Sequence, residues 1–401
     1  MILLGSLLHR QELAEIFGRA IENRMLPSDA SRLKFLLNMN SYAMRVWSTA
    51  FATEVMKAIR GDEIQVVPMA TKGQLKDLLV SNPHYLTPRI EELVNRYRRF
   101  PQDFYRETPF EGLVFVHNDP PRYAGSCRIK RIRRVAEKCA RRLIDYIFEQ
   151  VRQKADELAE QRAKALSIPK ESLITPPEEM AAEFLHAERR VLKSIRSGLF
   201  VAAMPQFYID DVVGIRIVVS PENESKVKEY LLSHKDLSLV DERVFSGSFV
   251  GHNMVFAYKL NSETLLKLSP DDRALSVLQA RCVTKDPEEC QNRYREFVLQ
   301  GEGHVRFEVL LMNFEELIES EIGRSMHEEH ILEQREKQEY RGRLARNVEA
   351  LMLFLFAFAQ SPKPDLEKLP IVIDGSYLDD YFDMAYRSLF MPQPYTLGLT
   401  M

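Results

Sequence analysis

Two acids sit where apolar strand residues would be expected, and both have the chemistry to hold a divalent cation. Asp211 opens "DDVVGIRIVVS" and Glu308 is the lone acid of "HVRFEVLLM". Side chains alternate along a strand, so Asp211, Val213, Ile215 and Ile217 are expected on one face and Val212, Gly214 and Arg216 on the other. Mg²⁺ prefers oxygen ligands, takes one or two carboxylates from a protein, and completes its shell with water and phosphate oxygens. Two such acids point to a joint metal site over a sheet. The plainer alternative is a pair of strand-edge acids facing water.

A basic stretch, "SCRIKRIRRVAEK", supplies cations of the kind a triphosphate needs. Arg131, Arg134, Lys138 and Arg141 fall on one helical face, while Ile132, Val135, Cys139 and Leu143 form an apolar stripe. Arginine makes forked contacts to phosphate oxygens. A solvated charged face would show the same pattern. RNA binding is disfavoured because this basic stretch lacks aromatic residues for base stacking. His327 and His330 of "MHEEH" stand at i, i+3 without a third ligand, which favours a solvent-facing or capping role over a metal site.

These side chains need elements to position them. The first hundred residues have helical periodicity in "RQELAEIFGRAIENRM" and "SRLKFLLNMNSYAMRVWSTAFATEVMKAIR", with Asp29 and Ser31 as caps. "FEGLVFVHND" is a short strand closed by a Pro-Pro turn. The run from Arg128 to about Leu166 is expected to be a long helix, and "EEMAAEFLHAERRVLKSIRSGL" another. Strands follow in "VVGIRIVVS", "SLVDERVF", "HNMVFAYKLN" and "HVRFEVLLM", separated by helical patches. The expected fold is α+β, a mixed and mostly antiparallel sheet flanked by helices, with helical N- and C-terminal extensions. Three regions are expected: 1–109 helical, 110–330 the core with a helical insertion at about 140–205, and 331–401 helical.

Composition narrows the classes further. Of 401 residues, 45% are apolar and 28% charged, with a formal net charge of −3, which argues against coating nucleic acid through bulk charge. Cys127, Cys139, Cys282 and Cys290 form no CxxC pair, against a disulfide framework or a zinc knuckle. The N-terminus lacks the pattern of a signal peptide, so the expected location is cytoplasmic. "VEALMLFLFAFA" is about half the roughly 20 residues needed to cross a bilayer and reads as a buried helix.

Taken in order, the motifs resemble those of RelA/SpoT-type alarmone synthetases, over roughly Phe110 to His330. "DDVVGIRIVV" is similar to the family's first acid strand, and "EVLLMN" from Glu308 takes the place of its Glu-x-Gln-x-Arg-Thr. "SGSFVGHNMVFAYKL" has the shape of the Gly-Tyr turn and following strand, with Gly247 in the turn and His252 opening the strand. The upstream Gly-Arg-x-Lys motif is matched at Arg128, Lys130 and, further on, Lys138; "RRVLKSIRS" around Lys193 is a rival match. The resemblance implies a nucleotidyltransferase-like fold and transfer of pyrophosphate from ATP to a nucleotide. It implies Mg²⁺ on Asp211 and Glu308, with Glu308 also accepting the proton of the attacking hydroxyl. Arg128 and Lys130 would hold ATP phosphates, Arg216 would orient Asp211 or a phosphate, and His252 would contact the acceptor.

The chain departs from the pattern on the acceptor side. Leu310 and Met312 replace the family's Gln and Arg, and Ser248 stands where an aromatic ring would stack on guanine. The acceptor nucleotide is therefore left unidentified. No His-Asp dipeptide occurs, so the hydrolase half of the long alarmone enzymes is not expected. A non-catalytic nucleotide-sensing or protein-interaction protein on the same fold is the alternative, and an RNA-binding module a further one.

Overall fold

The computed structural model describes residues 1–361 apart from 62, 247–249, 268–271, 282–283, 285 and 324–341. The chain opens with β1 (Ile2–Leu4), α1 (Arg10–Ile21), α2 (Asp29–Arg60), β2 (Gln65–Thr71), α3 (Lys72–Ser81) and α4 (Pro88–Arg99). A hairpin, β3 (Pro109–Asn118) and β4 (Pro121–Ile129), leads into α5 (Ile132–Ala165), α6 (Pro177–Ser197) and α7 (Phe200–Ala203). Then come β5 (Phe207–Ile209), β6 (Val213–Val218), α8 (Pro221–Ser233), β7 (Leu237–Phe245) and β8 (Gly251–Lys259). The remainder is α9 (Ser262–Lys267), α10 (Asp272–Arg281), α11 (Pro287–Gln300), β9 (His304–Met312), α12 (Phe314–Ile318), a π-helical turn (Glu319–Gly323) and α13 (Arg343–Gln360).

Local chemistry sets several of these boundaries. Thr71 and Gln74 form a reciprocal capping box at the start of α3. Thr87 caps α4 ahead of Pro88, and Asp286 caps α11 ahead of Pro287, each proline sitting where no intrahelical N–H is needed.

Seven strands form one sheet in the order β2-β3-β4-β6-β9-β8-β7, with β6 and β9 parallel and the other pairs antiparallel. This is a mixed, mostly antiparallel sheet flanked by helices, the α+β arrangement that the strand and helix patterns anticipate. A separate parallel pair joins β1 to β5.

Alternation sorts the two faces of the large sheet. Val213, Ile215 and Ile217 of β6 are buried in a core shared with α1, α2, α5 and α13. Val114, Val116, Val218 and Met312 point the other way, into a smaller core under α3, α4 and α12. Toward β8 and β7 that second face opens: Asn253 and Val255 are half-buried, and β7 is exposed along nearly its whole length.

Three expectations need correction. Residues 121–129 form strand β4, so the helix containing Lys138 begins at Ile132 and not at Arg128. The run "YAGSC" consists mostly of small residues, and its strand alternation becomes evident only through pairing with β3 and β6. Region 1–109 is mostly helical but contributes β1 and also β2, an edge strand of the main sheet. Asp211 lies in the bend before β6, so the strand alternation that would set it beside Val213 does not govern it.

The apolar run 348–359 lies buried within α13, with Leu351, Met352 and Leu355 fully enclosed. Among the described residues no helix is long and apolar enough to cross a membrane. Gly247, Ser248, Cys282, His327, His330 and everything beyond 361 lie outside the described residues.

Candidate functional site

Asp211 is held in place by elements far apart in sequence. Pairing of β1 with β5 aligns residues 207–209 immediately ahead of it. Ser6 ties the start of β6 to β9: its hydroxyl accepts from the Val213 amide at 3.2 Å and donates to the Arg306 carbonyl at 2.7 Å. Gly5 passes so close that a Cβ there would lie 2.3 Å from Asp210 Oδ1 and 2.9 Å from Arg306 Cβ. A glycine is the residue that permits this approach.

Two ammonium groups converge on Asp211. Lys130, in the link between β4 and α5, donates from Nζ to Oδ2 at 2.7 Å and to the backbone carbonyl at 2.6 Å. Lys138, about two turns into α5, donates to the same Oδ2. Burial alone would push the Asp211 carboxyl up, but the two lysines outweigh it and hold the group well below the usual carboxylate range.

Glu308 reaches the same cleft from β9. Its register partner on β6 is Gly214, where an added Cβ would stand 3.7 Å from Oε2, so the missing side chain leaves the carboxylate room. Asn253 of β8 donates from Nδ2 to Glu308 Oε1 at 2.8 Å, which fixes the amide's orientation because the flipped amide would set oxygen against oxygen. Its own Oδ1 is then a buried acceptor without a donor. Asp210 Oδ1 is likewise buried and unpartnered, and burial raises that carboxyl's pKa while Arg306, 3.8 Å away, opposes the shift.

Asp211 and Glu308 thus line one cleft of about 600 Å³, together with Asp210, Asn253, Lys138 and Arg141. Arg141 and its neighbour Arg142 are exposed on the α5 wall and carry no ion pair among the described residues. Arg133 and Arg134 are engaged with Glu137. Among the described residues no group of three or more acids, histidines or cysteines converges to cage a metal by itself. The donor set is two carboxylates with Asp211 Oδ1 and Glu308 Oε2 uncommitted among the described residues, beside the unpaired Asn253 oxygen. That fits a cation such as Mg²⁺, which draws few protein ligands.

The other expected site residues lie elsewhere. Arg216 and Arg128 share Glu308's face of the sheet, but they turn to Glu321 of the π-helical turn, at 2.7 and 3.9 Å, and do not line the cleft. Arg128 also lies over the Phe110 ring at 4.9 Å. Burial would raise the Glu321 carboxyl, yet Lys72, Arg216 and Arg128 hold it well below its usual range. His252 occupies the opposite face, bridging Glu242 and Glu224. Asn253 and Arg142 escape a reading by motif. Asn253's role depends on the register of β8 against β9, and only its alternation with His252 hints at the face it takes.

No protein-family model matches the chain, and no curated protein matches it either. Among solved structures it shows a likeness to the crystal structure of the small alarmone synthetase 1 from Bacillus subtilis. The two share 16% identity over 51% of this chain and 86% of that one, with a TM-score of 0.19. So loose an overlap adds nothing to the geometry of the cleft.

Proposed function

We propose that the chain is a Mg²⁺-dependent nucleotidyl or pyrophosphoryl transferase that takes ATP as donor and a second nucleotide as acceptor. The observation that carries this reading is the meeting of Asp211 and Glu308 in a single cleft walled by Lys138 and the uncommitted Arg141 and Arg142. Bound Mg²⁺ would neutralise phosphate charge and stabilise the leaving group. Asp211 and Glu308 would hold it, with Asn253 steadying Glu308. Lys130 and Lys138 fix Asp211 and carry one positive charge beyond it, which a phosphate oxygen would balance. Arg141 and Arg142 would bind the outer phosphates.

In the transfer, the acceptor hydroxyl gives its proton to Glu308. The hydroxyl oxygen forms the new bond to phosphorus, and the α–β phosphate linkage of ATP breaks, with AMP departing in pyrophosphoryl transfer and pyrophosphate in nucleotidyl transfer. Incubation with labelled ATP, Mg²⁺ and a panel of nucleotide acceptors tests this. Wild type should form a labelled product, and Glu308→Gln should slow it by about 10²–10⁴-fold. Equal turnover by both proteins, or none by either, would remove Glu308 as catalyst.

A second reading has its own support. Asp211 Oδ2 is already fully paired, and Leu310 and Met312 pack into or against the smaller core where polar acceptor contacts would otherwise lie. A nucleotide-sensing protein on the same cleft would bind ATP with submillimolar affinity and turn nothing over.

A further inference from the structure

A second cleft, of about 810 Å³, lies at the other end of β6, where the β3–β4 turn meets the starts of α8 and α12. Its lining gathers two arginines, Arg60 and Arg122, and two histidines, His84 and His117, with Glu63 as one of its acids. Arg60, at the end of α2, donates to the Val218 carbonyl; among the described residues its Nε is buried without an acceptor and no carboxylate pairs with it. Arg122, exposed at the start of β4, carries no ion pair among the described residues, and the His117 imidazole makes no hydrogen bond there. Burial and the two arginines lower the pKa of His117, outweighing the opposite pull of Glu63. Asp119 is the other acid of the lining.

One wall is aromatic. Tyr85 is 45% exposed, and its ring is steadied edge-on by Phe314 at 5.7 Å. His84 packs on the same Phe314 at 4.6 Å and donates to the Tyr123 carbonyl. A half-buried guanidinium with an unpaired donor is stabilised by a nearby anion, and a phosphate offers oxygens to Arg60 and Arg122 together. An exposed aromatic ring at the same cleft offers a stacking surface.

We propose that this cleft binds a phosphorylated small molecule bearing a planar ring, with its phosphate on Arg60, Arg122 and His117 and its ring against Tyr85. A nucleoside diphosphate has both parts. The site is independent of the proposed transferase cleft, since the two share no lining residue.

The histidine C–H resonances of the full chain report on it directly, with His117 assigned through His117→Gln. Inorganic phosphate and ADP should both shift His117 and raise its pKa, and ADP should bind about tenfold tighter than phosphate because of the ring. Arg122→Glu, at an exposed position, should weaken both by about tenfold or more. Tyr85→Ala should weaken ADP alone. The same shifts should persist in Arg141→Glu/Arg142→Glu, which disables the first cleft's free cations. The proposal is overturned if neither ligand moves His117, if Arg122→Glu leaves the shifts intact, or if ADP binds no tighter than phosphate. A His117 shift that vanishes in the Arg141/Arg142 variant would trace it to the first cleft and also overturn the proposal.

Discussion

Asp211 shows how a single side chain can couple charge to stability. Its carboxylate is worth most to the fold while ionised, because Lys130 and Lys138 both donate to it. The folded-state pKa lies below the ordinary value of 3.8, so the stabilisation is fully present above that value and fades as pH falls through the lower, folded-state value. Asp211→Asn should therefore lower stability at neutral pH and flatten the acid limb of the stability curve. Urea denaturation from about pH 2 to pH 6 would show it. An acid limb as steep as that of wild type would mean that the two lysines do not control this carboxyl. The acid itself is legible in the sequence, as is Glu308, because Asp211 opens and Glu308 interrupts a run of β-branched or aliphatic residues. The partners are less so. Arg128 and Arg216 look like phosphate ligands by type, but Glu321, far along the chain, claims them both in the folded state.

Among the elements, the hairpin of β3 and β4 is the one whose sequence conceals most. The strands β6, β8 and β9 announce themselves by alternation, and β2 carries Pro68, which suits its place on the sheet edge. In β4 the small residues 124–126 mask the period, and the basic run after Arg128 continues smoothly into a helix, so the boundary is invisible without cross-strand pairing. Gly112 makes that pairing possible, since a Cβ there would lie 2.2 Å from the Cys127 carbonyl oxygen and 3.1 Å from the Arg128 Cα. Backbone cannot yield as a side-chain tip does. Gly112→Ala should cost about 1–3 kcal/mol and loosen the strand that leads to Lys130. Hydrogen exchange should show faster opening of β3 and β4 than of β9; unchanged protection there would contradict the steric argument.

At the scale of the molecule, one large core ties the N-terminal helices to the sheet and to α13. Phe17 meets Phe356 at 5.4 Å, and Asn38 donates to the Ala359 carbonyl at 2.7 Å, so the chain's early and late helices close on each other. α13 also packs against α5, the helix that carries Lys138, Arg141 and Arg142. Leu355 is fully buried in this core, and Leu355→Ala should cost about 2–5 kcal/mol. The single tryptophan, Trp47, lies 5.9 Å from Phe307, next to Glu308, and reports on the same core. Its fluorescence and far-UV circular dichroism should shift together to lower denaturant in the variant. Two separated transitions would show that α13 and the sheet unfold independently.

The place of β9 has a consequence for the chain's biosynthesis. Among the described residues it is the last strand of the sheet in sequence, yet it lies between β6 and β8. On the ribosome, β6 and β8 emerge before the strand that will separate them, each with a row of unsatisfied amides facing its future neighbour. The nascent polypeptide must hold that slot open until His304–Met312 arrives, and only then does Glu308 come beside Gly214. A polypeptide arrested before that point would present two unpaired strand edges, one of them the valine- and isoleucine-rich β6, natural cargo for a holding chaperone.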